Sequence, residues 1–146
     1  MVMADNSISN WKNPEPEEIS EIIRDTQTIA VVGMSSKPGR ASHGVGKYLI
    51  SQGFNVIPVN PGESEILGLK SYPDLRSIKE KIDLVDIFRK SEATPPIVEE
   101  AIAIGARYIW LQEGISSQKS YELAQSAGVP IVMDRCLLKE HSQLEV

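Results

Sequence analysis

The sequence predicts a Rossmann-like, doubly wound α/β domain, in which a five-stranded parallel sheet lies between two layers of helices. Five short apolar segments alternate with segments of helical periodicity along the chain. The apolar segments are continuous rather than alternating, which is typical of strands buried on both faces. At 146 residues the chain suits one domain. Alternating strands and helices favour right-handed crossovers and a parallel sheet.

The chain begins with a polar, aperiodic stretch, so we expect an N-terminal arm over residues 1–14 and a single domain over residues 15–146. Trp11 in this arm either packs onto the domain or a neighbouring subunit, or is free. A first helix is predicted from Pro14–Glu18, where prolines and acidic residues suit the first turn, to about Asp25. The five strands are predicted at Thr28–Val32, Phe54–Val59, Leu84–Phe88, Tyr108–Leu111 and Ile131–Met133.

The later helices are placed by apolar residues at helical spacing and by the glycines and prolines that bound them. Residues 63–71 are expected to be irregular, and Asp74 is expected to cap a short helix over Leu75–Lys79. We expect the sheet order 3-2-1-4-5, with strands numbered along the chain. The other helices are predicted at Ser42–Gln52, from Pro95 to Gly105, at Ser116–Ala127 and in the tail Arg135–His141.

Composition and charge exclude several classes of function. The 15 basic and 20 acidic residues give a net charge of −5, and no basic stripe suited to nucleic acid is present. No apolar run is long enough to span a membrane, and the first residues do not resemble a signal peptide. A single cysteine cannot build an intrachain disulfide or a multi-cysteine zinc site. We therefore expect a cytoplasmic protein with no bound metal.

The loop after the first strand is the strongest candidate for ligand binding, because such sheets bind ligands at the carboxyl ends of their strands. Gly33 permits a tight turn, and Ser35, Ser36, Lys37 and Arg40 follow before the next helix. Backbone amides, hydroxyls, two cations and a helix N-terminus together favour a phosphate site. The alternative is an ordinary polar surface loop with solvated cations.

The loop matches neither the dinucleotide-binding motif G-x-G-x-x-G nor the P-loop motif. A protein that binds NAD is expected to carry an acidic residue at the end of the second strand, to hold the ribose. Asn60 and Pro61 stand there instead, and Glu63 lies beyond a Pro-Gly turn, where it is a poor substitute. An NAD(P)-dependent oxidoreductase is therefore the second hypothesis, and an interaction subunit that has lost its ligand is the third.

Four segments together resemble the small stand-alone CoA-binding proteins, which are similar to the CoA-binding domain of the succinyl-CoA ligase α subunit. These segments are V-V-G-M-S-S-K-P-G-R (31–40), I-P-V-N-P (57–61), D-L-V-D-I-F-R (83–89) and W-L-Q-E-G-I (110–115). The resemblance extends from about Thr28 to His141. It implies that CoA or an acyl-CoA binds along the carboxyl edge of the sheet.

The resemblance also implies roles for individual residues. The first loop would receive the phosphates of CoA, the end of the second strand would lie beside the adenosine, and the nucleotide and pantetheine would run past the end of the third strand. The residues concerned are, in that order, Gly33, Ser35, Ser36, Lys37 and Arg40, then Val59, Asn60 and Pro61, then Phe88 and Arg89.

Catalysis by this chain alone is not expected. The ligase needs a phosphorylated histidine in a following domain and a partner subunit, and this sequence offers only His43 and His141. His43 begins the helix after the loop, where capping or ligand contact is expected, and His141 is expected to be a solvated surface residue. Cys136 is expected to be buried and inert, the alternative being a thiolate beside the CoA sulfur. We expect a carrier, sensor or accessory module, with a homodimer as an open possibility.

Overall fold

The computed structural model describes residues 10–144 and contains a five-stranded parallel sheet with helices on both faces. This confirms the predicted fold class. The strands are β1 (Thr28–Val32), β2 (Asn55–Val59), β3 (Glu65–Ile66), β4 (Leu69–Lys70), β5 (Leu84–Ile87), β6 (Tyr108–Leu111) and β7 (Ile131–Val132). The helices are α1 (Pro16–Arg24), α2 (Ala41–Ser51), α3 (Thr94–Ala103), α4 (Gln118–Ala127) and α5 (Leu137–Ser142), with 3-10 turns at Leu75–Ser77 and Ser91–Ala93.

Two apolar cores lie on opposite faces of this sheet. On one face α1, α2 and α5 cover a core that contains Val31, Leu49 and Trp110. On the other face α3 and α4 cover a core that contains Ile87 and Leu111. The alternation of side chains along each strand sends neighbouring residues to opposite cores. Within residues 10–144, no helix is long and apolar enough to cross a membrane.

The order of the strands differs from the prediction. The sheet runs β2-β1-β5-β6-β7, which in the numbering of the five predicted strands is 2-1-3-4-5, so the expected order 3-2-1-4-5 is wrong. The physical reason lies in Pro58, because proline has no N–H for a strand ladder and is confined to edge strands. Pro58 lies in β2 at the edge, and its carbonyl accepts a hydrogen bond from the Tyr72 amide at 3.0 Å. The point where the strand order reverses therefore lies between β1 and β5.

The segment expected to be irregular contains a small hairpin, β3–β4. Leu67 and Gly68 form its turn with φ of 53° and 78°, the left-handed pair typical of a two-residue hairpin. The hairpin leads into Tyr72, which forms a parallel bridge with Val59 and so lies against the β2 edge. The predicted short helix is a single 3-10 turn, and the carboxylate of Asp74 caps it by accepting from the Ser77 amide at 2.9 Å.

Part of the predicted N-terminal arm lies outside the described residues, namely residues 1–9. The following residues lie against the domain. The side chain of Asn13 forms two hydrogen bonds with the Met133 backbone, donating to its carbonyl at 2.9 Å and accepting from its amide at 2.8 Å. Trp11 packs on the core beneath α3 and α4. These contacts attach residues 11–13 to the end of the last strand.

Asp86 is a carboxyl group without a hydrogen-bond partner in the centre of the sheet. It lies on β5 between Val31 and Trp110 in register, and it is fully buried. Among residues 10–144, its two oxygens are the buried side-chain polar atoms that lack a partner. Burial raises the pKa of the Asp86 carboxyl well above its ordinary value, because the charged form loses its hydration.

This raised pKa predicts that Asp86 destabilises the protein increasingly as the pH rises. Well below the ordinary pKa of 3.8 the group is protonated in both folded and unfolded states. Stability is lost as the pH rises from that value to the raised folded pKa, and the loss is complete above the folded pKa. Asp86→Asn removes the titration, so its free energy of unfolding should rise relative to wild type by about 1.4 kcal/mol for each unit of pKa elevation. Urea unfolding at pH 4.5 and pH 8 measures the difference.

A suitable control is Glu92→Gln, which makes the same chemical change at an exposed carboxylate. The difference in unfolding free energy between this variant and wild type should barely depend on pH. Parallel pH profiles for wild type and Asp86→Asn would contradict the assignment.

Candidate functional site

The carboxyl ends of β1 and β5 approach each other closely at Gly33. Gly33 has φ of 86°, and a Cβ added to it would lie 2.3 Å from the Phe88 carbonyl oxygen and 3.2 Å from Nη1 of Arg89. The Phe88 amide donates to the Val32 carbonyl and the Gly33 amide donates to the Val59 carbonyl, each at 2.8 Å. Only glycine fits both the conformation and the space. The loop after β1 therefore leaves the sheet directly beside Arg89.

Internal hydrogen bonds define the shape of this loop, residues 33–40. The Ser35 amide donates to Oγ of Ser42, and Oγ of Ser35 accepts from the Lys37 amide, both at 3.0 Å. Nδ1 of His43 lies 3.0 Å from the Ser35 carbonyl oxygen, and because a carbonyl only accepts, Nδ1 carries the proton. Ser35 and His43 thus connect the loop to the first turn of α2. His43 therefore holds the loop rather than capping α2, whose N-terminus has no side-chain cap, so the capping role expected for it is not observed.

Two side chains from the end of β2 also hold the loop. Nδ2 of Asn60 donates to the Met34 carbonyl at 2.8 Å, while its Oδ1 accepts from the Gly62 amide at 2.9 Å. Oγ of Ser36 donates to Oε2 of Glu63 at 2.8 Å. Glu63 therefore does reach the first loop, which the sequence reasoning missed. The Asn60-Pro61-Gly62 turn is the signal that could have found it, because such a turn reverses the chain.

A cleft of about 480 Å³ opens where β1 and β5 end. Its lining combines three cationic side chains with apolar ones, which suits an anionic ligand that has an uncharged portion. Three of the residues expected at the site line the cleft, namely Arg40, Phe88 and Arg89. Three other residues that line it were not expected there, namely Lys90, Ala93 and Ile115. Ile115 follows β6, so its position after a strand was the available signal.

The other expected residues lie around this cleft. Lys37 and Pro61 are exposed on their loops, at the same edge of the sheet. Val59 is buried beneath the site, and its carbonyl accepts from Gly33. The structure thus gathers Gly33, Arg40, Phe88 and Arg89 around the strand ends. Ser36 and Asn60 lie in two loops that are joined by the bonds from Asn60 to Met34 and from Ser36 to Glu63.

The burial of two residues, His141 and Cys136, differs from what was expected. His141 is half-buried, its Nδ1 lies 2.7 Å from the Tyr48 hydroxyl, and its ring stands edge-on to Phe54, so the prediction of a solvated residue is wrong. Cys136 is half-buried rather than fully buried, at the start of α5. Across residues 10–144, no group of three histidine, cysteine, aspartate or glutamate side chains could hold a metal ion.

The fold and the cleft define a class: a doubly wound α/β domain with a glycine turn and clustered cations at the switch in strand order. A family model described as a CoA binding domain matches residues 27–142, and the chain belongs to this family. The resemblance seen in the four sequence segments is thereby confirmed.

Individual relatives agree with the family assignment. Uncharacterized protein YneT from Bacillus subtilis (strain 168) is 38% identical over 131 residues, which span 90% of this chain and 97% of YneT. The structure of a hypothetical protein from Pyrococcus horikoshii OT3 superposes with a TM-score of 0.88 at 38% identity, covering 94% of this chain and 99% of that one.

A larger relative is an enzyme. Acetate–CoA ligase [ADP-forming] I from Archaeoglobus fulgidus is 29% identical over 121 residues, which cover 76% of this chain but only 18% of the ligase. The chain therefore corresponds to less than a fifth of that enzyme's length.

The contact at Gly33 predicts that Gly33→Ala is strongly destabilising. An alanine there combines a left-handed backbone with a clash against the Phe88 carbonyl, so the free energy of unfolding should fall by about 2–4 kcal/mol. Gly39→Ala in the same loop is the matched control, because nothing lies within 4 Å of its Cβ position and its φ is not in the left-handed region. Equal losses in urea unfolding would show that the close approach is unimportant.

Proposed function

We propose that this chain binds CoA or an acyl-CoA at the carboxyl edge of its sheet and acts as a carrier, sensor or accessory module. The observation that carries the proposal is the cleft between the ends of β1 and β5, into which Arg40, Arg89 and Lys90 bring positive charge. The chain as a whole has a net charge of −5, so a polyanionic ligand requires such a local concentration of cations. Membership of the CoA binding domain family supports the same ligand.

The phosphates of CoA would be held by the loop 33–40 and by Arg89. Guanidinium groups can bind two phosphate oxygens at once, and Lys37 adds a point charge at the loop. The hydroxyl of Ser36 and the amides that begin α2 at Ala41 supply neutral donors. Because Ser42, His43 and Asn60 position the loop through neutral hydrogen bonds, these cations are not consumed in holding it.

The uncharged parts of the ligand would follow the remaining surfaces. Adenosine would lie beside Val59, Asn60 and Pro61, and pantetheine would run past Phe88 along the apolar wall that Ala93 and Ile115 provide. Asn60 argues against a nicotinamide cofactor, since both polar atoms of its side chain are bonded within the protein. We further propose a cytoplasmic location, because the single cysteine is compatible with a reducing compartment.

Ligand-dependent stabilisation tests the proposal. CoA or acetyl-CoA at 100 times its dissociation constant should stabilise the folded chain by about 2.7 kcal/mol, which a thermal shift assay detects. NAD and NADP should have no comparable effect. A larger shift with NAD or NADP than with CoA would favour the oxidoreductase alternative. A chain that responds to none of these ligands would be an interaction subunit, and the proposal would be wrong.

The role of Arg40 is tested by comparing CoA with dephospho-CoA, which lacks the 3′-phosphate. If the guanidinium holds that phosphate, Arg40→Ala should weaken CoA binding about tenfold and dephospho-CoA binding much less. Isothermal titration calorimetry measures both. Arg24→Ala is the control, because it removes the same charge from α1 just before β1, at the opposite edge of the sheet. Equal losses for the two ligands would instead place Arg40 on the pyrophosphate.

A further inference from the structure

Glu63 places a carboxylate at the loop that is expected to receive a phosphate. We propose that Glu63 acts as an anion mimic: its carboxylate accepts the hydrogen bond of the Ser36 hydroxyl and must be displaced when a phosphate binds there. This inference rests on the proposed function, and it concerns a residue that does not line the cleft. It begins from one hydrogen bond, from Oγ of Ser36 to Oε2 of Glu63 at 2.8 Å.

The backbone around Glu63 is anchored independently of its carboxylate. The Glu63 amide donates to the Asn60 carbonyl at 3.2 Å, and the Asn60 side chain bonds the Met34 carbonyl and the Gly62 amide. Ser36 is exposed and Glu63 is half-buried, so the contact between them lies at the surface. The carboxylate can therefore leave Ser36 while the two loops stay joined through Asn60.

A hydroxyl has one proton to donate, so Ser36 cannot serve Glu63 and a phosphate oxygen at the same time. A phosphate beside Ser36 would also lie next to a carboxylate, and the two negative charges would repel each other. At about 4 Å in a water-like environment, such a repulsion weakens binding about fivefold. Glu63 thus lowers the affinity of this loop for an anion.

The cations of the loop are not used to neutralise Glu63. Among residues 10–144, ion pairs are formed by Arg107, Arg135 and Lys139, and none joins Glu63 to Lys37 or Arg40. The carboxylate therefore holds a neutral donor and leaves the nearby positive charges to the ligand. A carboxylate that permanently neutralised this loop would be expected to form an ion pair with Lys37 or Arg40. The carboxylate of Glu63 is bound to a neutral hydroxyl instead, which favours a group that a phosphate can displace.

Glu63 could instead have a role that strengthens ligand binding. If Glu63 stayed in place and accepted a hydrogen bond from a ribose hydroxyl, it would strengthen nucleotide binding rather than oppose it. Acidic residues near the end of the second strand act in this way in dinucleotide-binding folds. Removing the charge of Glu63 distinguishes the two roles.

The experiment is isothermal titration of CoA into wild type, Glu63→Gln and Glu65→Gln at low salt. Glutamine retains an acceptor for Ser36 but no charge, so Glu63→Gln should bind CoA about fivefold more tightly than wild type. Glu65→Gln removes the same charge two residues away, from an exposed position paired with Lys70 in the hairpin, and should change affinity less than twofold. Thermal denaturation verifies that each variant is folded.

A double-mutant cycle shows whether the effect passes through Ser36. In a Ser36→Ala background, the gain from Glu63→Gln should fall to less than half of its value in wild type. An undiminished gain would overturn the claim that Ser36 holds the charged carboxylate beside the phosphate. Unchanged affinity in Glu63→Gln would overturn the role of its charge, and weaker binding would assign the residue to a ribose hydroxyl. A wild-type chain that does not bind CoA would refute the proposed function itself, before any variant is compared.

Discussion

The site depends on the close approach of two strand ends at a single glycine. At Gly33 the backbone leaving β1 lies against the Phe88 carbonyl, with no room for even one carbon atom. This contact brings the first loop and Arg89 to the same place, although they are far apart in the sequence. The parallel register of β1 and β5 continues the contact, since the Phe88 amide still pairs with Val32. The position of the cleft therefore follows from backbone packing, and the side chains that line it supply its charge and its apolar surface.

The structure separates the groups that shape the loop from those that carry charge. Ser42, His43 and Asn60 hold the loop with neutral hydrogen bonds. Arg40, Arg89 and Lys90 extend into the cleft without forming ion pairs within residues 10–144. Arg40 and Lys90 are exposed and Arg89 is half-buried, and unpaired cations at a surface contribute little to folding stability. Their charge is instead available to a ligand, in a protein that is acidic overall.

The sequence was sufficient for features that depend on local pattern. The strands and main helices follow from apolar runs and their glycine and proline boundaries, and the loop at Gly33 follows from its place after a strand. Strand order did not follow from these patterns, because the third long strand could pair with the outer side of β2, as expected, or with the free side of β1, as observed. Pro58 was the local sign of an edge that was overlooked. The contact of His141 with Tyr48 joins residues 93 positions apart, so it depends on tertiary packing that no local pattern encodes. The contact of Glu63 with Ser36 joins residues 27 positions apart, and the Asn60-Pro61-Gly62 turn was its one local signal.

The two edge strands of the sheet, β2 and β7, are poorly suited to pair with a strand of another molecule. At the β2 margin, Pro58 lacks a donor and Tyr72 takes up the neighbouring backbone groups. At the other margin, β7 is only two residues long, and Asn13 bonds the Met133 backbone just beyond it. Long unpaired margins are the usual starting points for aggregation by strand addition. The same proline that determines where β2 lies thus also helps to keep one molecule's sheet from extending into the next.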